Sequence, residues 1–291
     1  MMTRSLVHYQ KMASAFTVRD IARLAPRVHP DTDISPTTGR PEGSDITYCW
    51  LVANEAGVYG YLTEQMLHGD ACRPLQVRDL MEPLGHRAVV PASMPLLDMV
   101  PRLAGQHDWT LFVLTEKGIT HVVTGEECDS MPVKLCILSL ILELEEEMTF
   151  ILWSQPDSLT RRIESLPSSR IQELYQNNLN QGRPEPSSSD VRDPLAALTW
   201  ANVMDKGMML YDDPKTRPLF GFLDDREAHD FFNYTRLVRN AIAHNRSLTE
   251  ADDLLVIPAQ LAGYIDRLRG AILRLATERK AIMEHGDAKQ N

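Results

Sequence analysis

Residues Tyr48 to Thr63 align without gaps on Trp109 to Thr124, at an offset of 61. Val52 falls on Val113, Glu55 on Glu116, Gly57 on Gly118 and Thr63 on Thr124. Upstream, Val18-Arg-Asp-Ile21 matches Val77-Arg-Asp-Leu80 at an offset of 59. One unit therefore occurs twice, with a small length change inside one copy. A chain built this way is constrained to fold its first half as two similar pieces that bury their apolar faces together.

Each copy reads alike. Val-Arg-Asp opens it, and a Pro-containing extended piece follows, Pro30 to Pro36 or Val89 to Pro95. In the second copy a short helix is expected from Leu96 to Gly105. Then come an apolar strand, a turn at Gly57 or Gly118, a second strand, and a Thr opening a helix. Thr63 and Thr124 stand in N-cap position, where a hydroxyl satisfies a free backbone N–H. Residues 33 to 43 are too polar and Pro-rich for a helix.

After Met131-Pro132 the apolar period changes to 3.6. Val133, Ile137, Leu140, Leu144, Met148 and Ile151 form one stripe; Leu135, Leu138, Leu142 and Leu152 form a second. This helix is expected to be buried on two sides. Glu145 lies in the second stripe, and a buried carboxylate needs a partner, Arg239 or Arg236. The alternative is that Glu143 to Glu147 is a solvated charge run. Further helices are expected over 161–179, interrupted at Pro167, over 195–210, and from Asp224 or Asp225 to about Asn245. A last one follows Thr249-Glu-Ala-Asp252, with a break or kink at Pro258. Residues 180–190 read as a loop and 285–291 as a frayed tail.

The chain has 291 residues, room for two domains. Residues 1–131 hold 11 basic and 16 acidic side chains, and residues 132–291 hold 19 and 24, so each part is at −5. Neither half binds nucleic acid by bulk charge. Cys49, Cys72, Cys128 and Cys136 form no Cys-x-x-Cys pair, which points to reduced thiols and a cytoplasmic setting. The N-terminus shows no secretory signal, and the run Leu135 to Leu144 is too short to span a bilayer. No metal-ligand pattern occurs, so metal-independent chemistry is expected.

Against that acidic background, Arg236 to Arg246 is a basic island. It holds three arginines, two asparagines and one histidine, and no acid lies between Asp230 and Glu250. Asn240 and His244 are i and i+4, one turn apart on one helix face. Arg239 points about 100° away but can curl back to that rim. A fixed cation, an amide and a group titrating near neutrality suit the binding of a phosphodiester and proton transfer beside it. Phe231, Phe232, Tyr234 and Leu237 are expected on the buried side.

The string Val-Arg-Asn-x-Ile-Ala-His-Asn-Arg resembles the HEPN family, whose ribonucleases carry Arg-x-x-x-x-His with a polar residue after the Arg. The resemblance extends over roughly residues 131–284. It implies an all-α bundle acting as a homodimer, with two such helices facing across a cleft. His244 is then the general acid/base, Arg239 the stabiliser of developing charge, and Asn240 the residue that orients His244. An acid on the first helix, Glu145, also fits the family. Arg236 and Arg246 are candidates for RNA contacts.

The duplicated half resembles a pair of CBS motifs, the Bateman module, whose Gly-h-h-Thr-x-x-Asp segment binds adenosyl nucleotides. Carried over, the first copy has Gly60, Thr63 and Met66, so the ribose-binding Asp is missing. The second has His121, Thr124 and Glu127, which keeps an acid. The implied organisation is an α+β tandem CBS pair at 1–130 followed by a HEPN bundle at 131–284. The implied partners are RNA, an adenine nucleotide (AMP, ATP or similar) as effector and a second copy of the chain, with no DNA and no membrane. A non-catalytic nucleotide sensor or dimerisation scaffold is the reading from a different class.

Overall fold

The structure is a computed structural model that describes Tyr9, residues 11–35, Pro41, and residues 49–68, 75–179, 194–248 and 257–288. The chain is mixed α/β. Among the described residues no helix is long and apolar enough to cross a membrane. Contacts divide the chain into two compact units: residues 14–134 with 257–262, and residues 1–13, 135–256 and 263–291. The sequence reading draws the line after residue 130, four residues before this division.

In the first unit the elements are β1 (Arg23–Leu24), β2 (Arg27–Val28), β3 (Cys49–Asn54), β4 (Gly57–Thr63), α1 (Val77–Leu80), β5 (Glu82–Pro83), β6 (Val89–Pro91), α2 (Leu96–Ala104), β7 (Thr110–Thr115) and β8 (Gly118–Thr124). They form two four-stranded sheets, β2-β3-β4-β5 and β6-β7-β8-β1. Each sheet has a hairpin at its centre, a parallel strand on one side and an antiparallel strand on the other. The hairpins match in register with the sequence repeat, down to an irregularity at Val52/Ala53 and again at Val113/Leu114. Gly57 and Gly118 turn them with φ of 145° and 90°, backbone that L side chains rarely adopt.

The outer strands are exchanged. β1 follows the Val-Arg-Asp of the first copy but pairs with β8 of the second; β5 follows that of the second but pairs with β4 of the first. The copies are thereby laced into one unit. Alternation then decides the packing. Cys49 and Leu51 meet Phe112 and Val122 between the sheets, and Trp50, Val52 and Leu62 cover the other face against Leu67 and Val77. A strand buried on both faces is a continuous apolar run, as β3 is. Thr63 and Thr124 open 3-10 turns of five residues, Glu64–His68 and Gly125–Asp129, instead of the expected α-helices. The stretch 36–48 lies largely outside the described residues.

The second unit is helical: α3 (Met131–Trp153), α4 (Pro156–Glu164), α5 (Ser168–Leu179), α6 (Pro194–Leu198), α7 (Val203–Tyr211), α8 (Asp225–Ala243) and α9 (Pro258–Ala288). The first residues of α3 and α9 are grouped with the sheets. The stripe from Val133 to Ile151 is buried throughout, at 6% exposure or less. The second stripe is half-covered at Leu135, Leu138 and Leu142, and enclosed at Leu152. Four corrections to the expected helices have local causes. The helix expected over 195–210 breaks at Thr199–Asn202, because Asn202 accepts from the N–H groups of Met204 and Asp205 while Asp205 accepts from Asn202 N–H, a reciprocal cap that starts α7 anew. Pro258 does not kink a helix; it is the first residue of α9, where its missing N–H costs nothing. Helix α9 also runs on to Ala288, past the expected fraying point at His285. Helix α8 ends at Ala243, two residues before the expected end. The expected loop 180–190 and the segment 249–252 lie outside the described residues.

Helices α7 and α8 pack at close range. A Cβ added at Gly207 would lie only 2.4 Å from the nearest ring carbons of Phe232, which is fully buried and in contact with Phe220, Phe222 and Phe231. Gly207→Ala is expected to cost about 1–3 kcal/mol by overpacking. Chemical denaturation measures it, and a loss under about 0.5 kcal/mol would show that the ring moves aside freely.

Candidate functional site

Helix α8 carries the Arg-Asn-x-x-x-His string. It starts because Asp224 accepts from the N–H of Glu227 at 2.8 Å. Its buried face is Ala228, Phe231, Phe232, Thr235, Val238, Ala241 and Ile242. Leu237 and Tyr234 are half-buried and not part of that face. Leu237 stands seven residues before His244, nearly the same direction on the helix, which corrects its expected place opposite the histidine.

The end of α8 explains the rest of the string. His244 is the C-cap, and its N–H bonds to the carbonyl of Asn240 at 3.0 Å. Asn245 has φ of 51°, the left-handed conformation asparagine tolerates. Its N–H reaches Ile242 O, and that of Arg246 reaches Ala241 O. These are the two bonds of a Schellman cap, so Asn245 has a structural task. Asn240, His244 and Arg246 are exposed, and among the described residues no side-chain hydrogen bond joins Asn240 to His244. Arg236 donates to Asn233 on its own helix at 2.8 Å.

Arg239 is the residue tied to another element. Its Nε lies 3.0 Å from Glu145 Oε1 on α3. The side chains are 38% and 13% exposed, so the acid is enclosed and the arginine is half in solvent. The contact is an ion pair by distance but is not aligned as a hydrogen bond: among the described residues Glu145 Oε1 is a buried acceptor with no hydrogen-bond donor. With Nε on the acid, both Nη groups remain for an oxyanion. The run Glu143 to Glu147 is not a solvated stretch. Glu143 and Glu147 are buried at 4% and 1%, and Glu147 pairs with Arg279 at 3.2 Å.

Sequence reasoning missed Lys206. This residue of α7 is 9% exposed, and the charges acting on it are Glu145, Arg239 and Asp205. Burial, the largest influence, lowers its pKa, which Glu145 partly offsets. The available signal was a lysine beside Asp205 inside the otherwise apolar Val203 to Tyr211 stretch.

In the first unit, Thr124 and Glu127 do meet, but with each other. Glu127 Oε2 accepts from the N–H of Thr124 at 2.6 Å and from its hydroxyl at 2.9 Å. Glu127 Oε1 is paired with Arg23, and the residue is 8% exposed. Both oxygens expected to hold a ribose therefore cap the 3-10 turn and neutralise an arginine. In the first copy Met66 Sδ takes the same place, 3.4 Å from the N–H of Thr63. The Thr63 hydroxyl is buried, and among the described residues it has no hydrogen-bond partner.

A cavity of about 310 Å³ opens at the other end of the β7–β8 hairpin, where Thr115 pairs with Gly118. It is lined by Arg19, Val113, Thr115, Lys117, Thr120 and His121 among others. Thr115, Thr120 and His121 Nδ1 form a hydrogen-bonded chain with links of 3.1 and 2.8 Å. Thr124 pairs with Thr110, about 17 Å along the strand by extended-chain rise. A scan against protein-family models finds no match for this chain. None of the curated proteins matches it either.

Proposed function

We propose that the chain is a metal-independent endoribonuclease of the HEPN type, carried on a CBS-like pair that binds an adenine nucleotide as effector. The observation that carries this reading is the Arg239–Glu145 pair, close along the helix to His244, with the guanidinium half in solvent. The 2′-hydroxyl of RNA attacks its own 3′-phosphate and the 5′-oxygen leaves. His244 moves the proton at one of these oxygens. Arg239 holds two phosphate oxygens as charge develops on them. Asn240 stands one turn before His244 on the same side and guides it. The nucleophile comes from the substrate, so no metal is needed to create one. Products end in 2′,3′-cyclic phosphate and 5′-OH.

One helix supplies half of a symmetric cleft, so the working form is a C2 homodimer. The cavity beside His121, with Arg19 and Lys117 at its rim, supports a bound anionic effector. Burial pushes the Cys49 and Cys128 thiols up to about 12, so neither ionises near neutrality. The scaffold reading has one observation in its favour, the commitment of Glu127 to Thr124 and Arg23. RNA and DNA of one sequence, each incubated with the purified chain, separate the two. Cleavage of RNA alone is expected; both strands left intact would leave the scaffold.

A further inference from the structure

The cavity at the turn end of the β7–β8 hairpin measures about 310 Å³, within the range of small-ligand pockets. Arg19 reaches it from the first copy, and Thr115, Lys117, Thr120 and His121 from the second. The repeat supplies an internal control. In the first copy the places of His121, Thr120 and Thr115 are held by Gly60, Tyr59 and Asn54. A Cβ at Gly60 would lie 2.2 Å from the carbonyl oxygen of Glu82, so a side chain there would clash with backbone. The Tyr59 hydroxyl donates to Asn54 at 2.9 Å instead. Arg78, which corresponds to Arg19, is paired with Asp31. Among the described residues the side chains of Arg19 and Lys117 form no hydrogen bond and no ion pair, so only the second copy presents free cations beside a cavity.

Proton counting fixes the direction of the hydrogen-bonded chain in its wall. A hydroxyl has one proton to donate. Thr115 gives its proton to the carbonyl of Gly118 at 3.0 Å, so it accepts from Thr120 at 3.1 Å. Thr120 then has no proton left for His121, and the 2.8 Å link is His121 Nδ1–H donating to Thr120. A neutral imidazole protonated at Nδ1 presents Nε2 as a bare acceptor. His121 is half-buried, and among the described residues its Nε2 has no hydrogen-bond partner and is not enclosed. Arg19 and Lys117 suit an anion, Nε2 and the nearby carboxylate of Glu116 call for a donor, and Ala22, Ala92 and Val113 form an apolar wall. We propose that this cavity is the effector site, and that the threonine chain makes it select a small anion bearing an N–H donor: among nucleotides, one whose base carries an exocyclic amino group, as adenine does. The proposal rests on the effector reading, places its site away from Thr124 and Glu127, and names the feature of the base that is read.

The test is calorimetry on the full chain at about pH 8, above the ordinary imidazole range. The probes are AMP, adenosine, and purine riboside 5′-monophosphate, which is AMP without its amino group. AMP is expected to bind about three- to tenfold more tightly than the purine analogue, the contribution of one hydrogen bond. Adenosine should bind at least about tenfold more weakly than AMP, and so should AMP to a chain carrying Arg19→Ala and Lys117→Ala. Thr120→Val should abolish the preference for the amino group, and Thr120→Ser should keep it. Imidazole nitrogen shifts of the unliganded chain should show His121 protonated at Nδ1 in the wild type and in Thr120→Ser. Equal affinity for AMP and the purine analogue, or His121 protonated at Nε2 in the wild type, overturns the proposal. AMP binding that survives Arg19→Ala with Lys117→Ala but is lost in Thr124→Ala with Glu127→Ala leaves the effector reading standing and overturns this site. If neither nucleotide binds, the effector reading fails together with the site. If the preference appears while RNA is never cut, the cavity stands and the ribonuclease reading fails.

Discussion

On the proposed ribonuclease reading, His244→Ala is expected to lower RNA cleavage by about two to four orders of magnitude, the usual contribution of a positioned general acid/base. It leaves stability within about 1 kcal/mol of wild type, because His244 is exposed at the end of α8 and anchored through its backbone N–H. The adjoining Schellman cap depends on Asn245, so the cap survives the substitution. Single-turnover rates and thermal melts on the same preparations check both halves of the statement. A loss of activity accompanied by a large loss of stability would reduce His244 to a structural cap residue. Full retained activity would remove it from the chemistry.

Arg279→Met is expected to cost about 3–5 kcal/mol, the largest of the expected stability losses, because it strands a buried carboxylate. Glu147 is 1% exposed, and Arg279 is its partner at 3.2 Å while lying 4.5 Å over the Phe150 ring. Burial holds the Glu147 carboxyl above the usual glutamate range, against the opposing pull of Arg279. A carboxyl raised in the fold binds its proton more tightly there than in the unfolded chain. Its contribution is therefore complete below the ordinary glutamate value and is lost as pH rises through the raised one. Arg279→Met removes the downward pull, so the loss should deepen and extend to higher pH. Glu147→Gln should flatten the profile in both backgrounds. Denaturant midpoints between about pH 4 and 8 measure this. An Arg279→Met profile parallel to wild type would show that the pair is not electrostatically coupled.

The hairpins were legible because local chemistry writes them: a glycine turn between two apolar runs, repeated at a constant offset. The exchange of β1 and β5 between copies was not. Arg23–Leu24 and Glu82–Pro83 are two residues long, and their pairing is set by distant partners. The stripe of α3 and the Glu145–Arg239 pair were readable from period and charge, since an acid among leucines demands a counter-ion. The break before α7 was hidden, because Asn202 and Asp205 form their cap inside a mostly apolar stretch that reads as one helix. Glu127 was assigned to a ligand because spacing does not reveal that Arg23 arrives from the other copy to occupy it. Lys206 was not singled out because its burial comes from the packing around α7, which the stretch Val203 to Tyr211 does not display.

The central claim is a phosphodiester cleaved through its own 2′-hydroxyl by Arg239 and His244 without a metal ion. It is tested most directly by the chemistry of the product ends, with excess EDTA present throughout. Purified wild-type chain should cut RNA at an undiminished rate and leave 2′,3′-cyclic phosphate and 5′-OH termini, resolved by mass spectrometry of the fragments. Activity abolished by EDTA, or fragments ending in 3′-OH and 5′-phosphate, would contradict it.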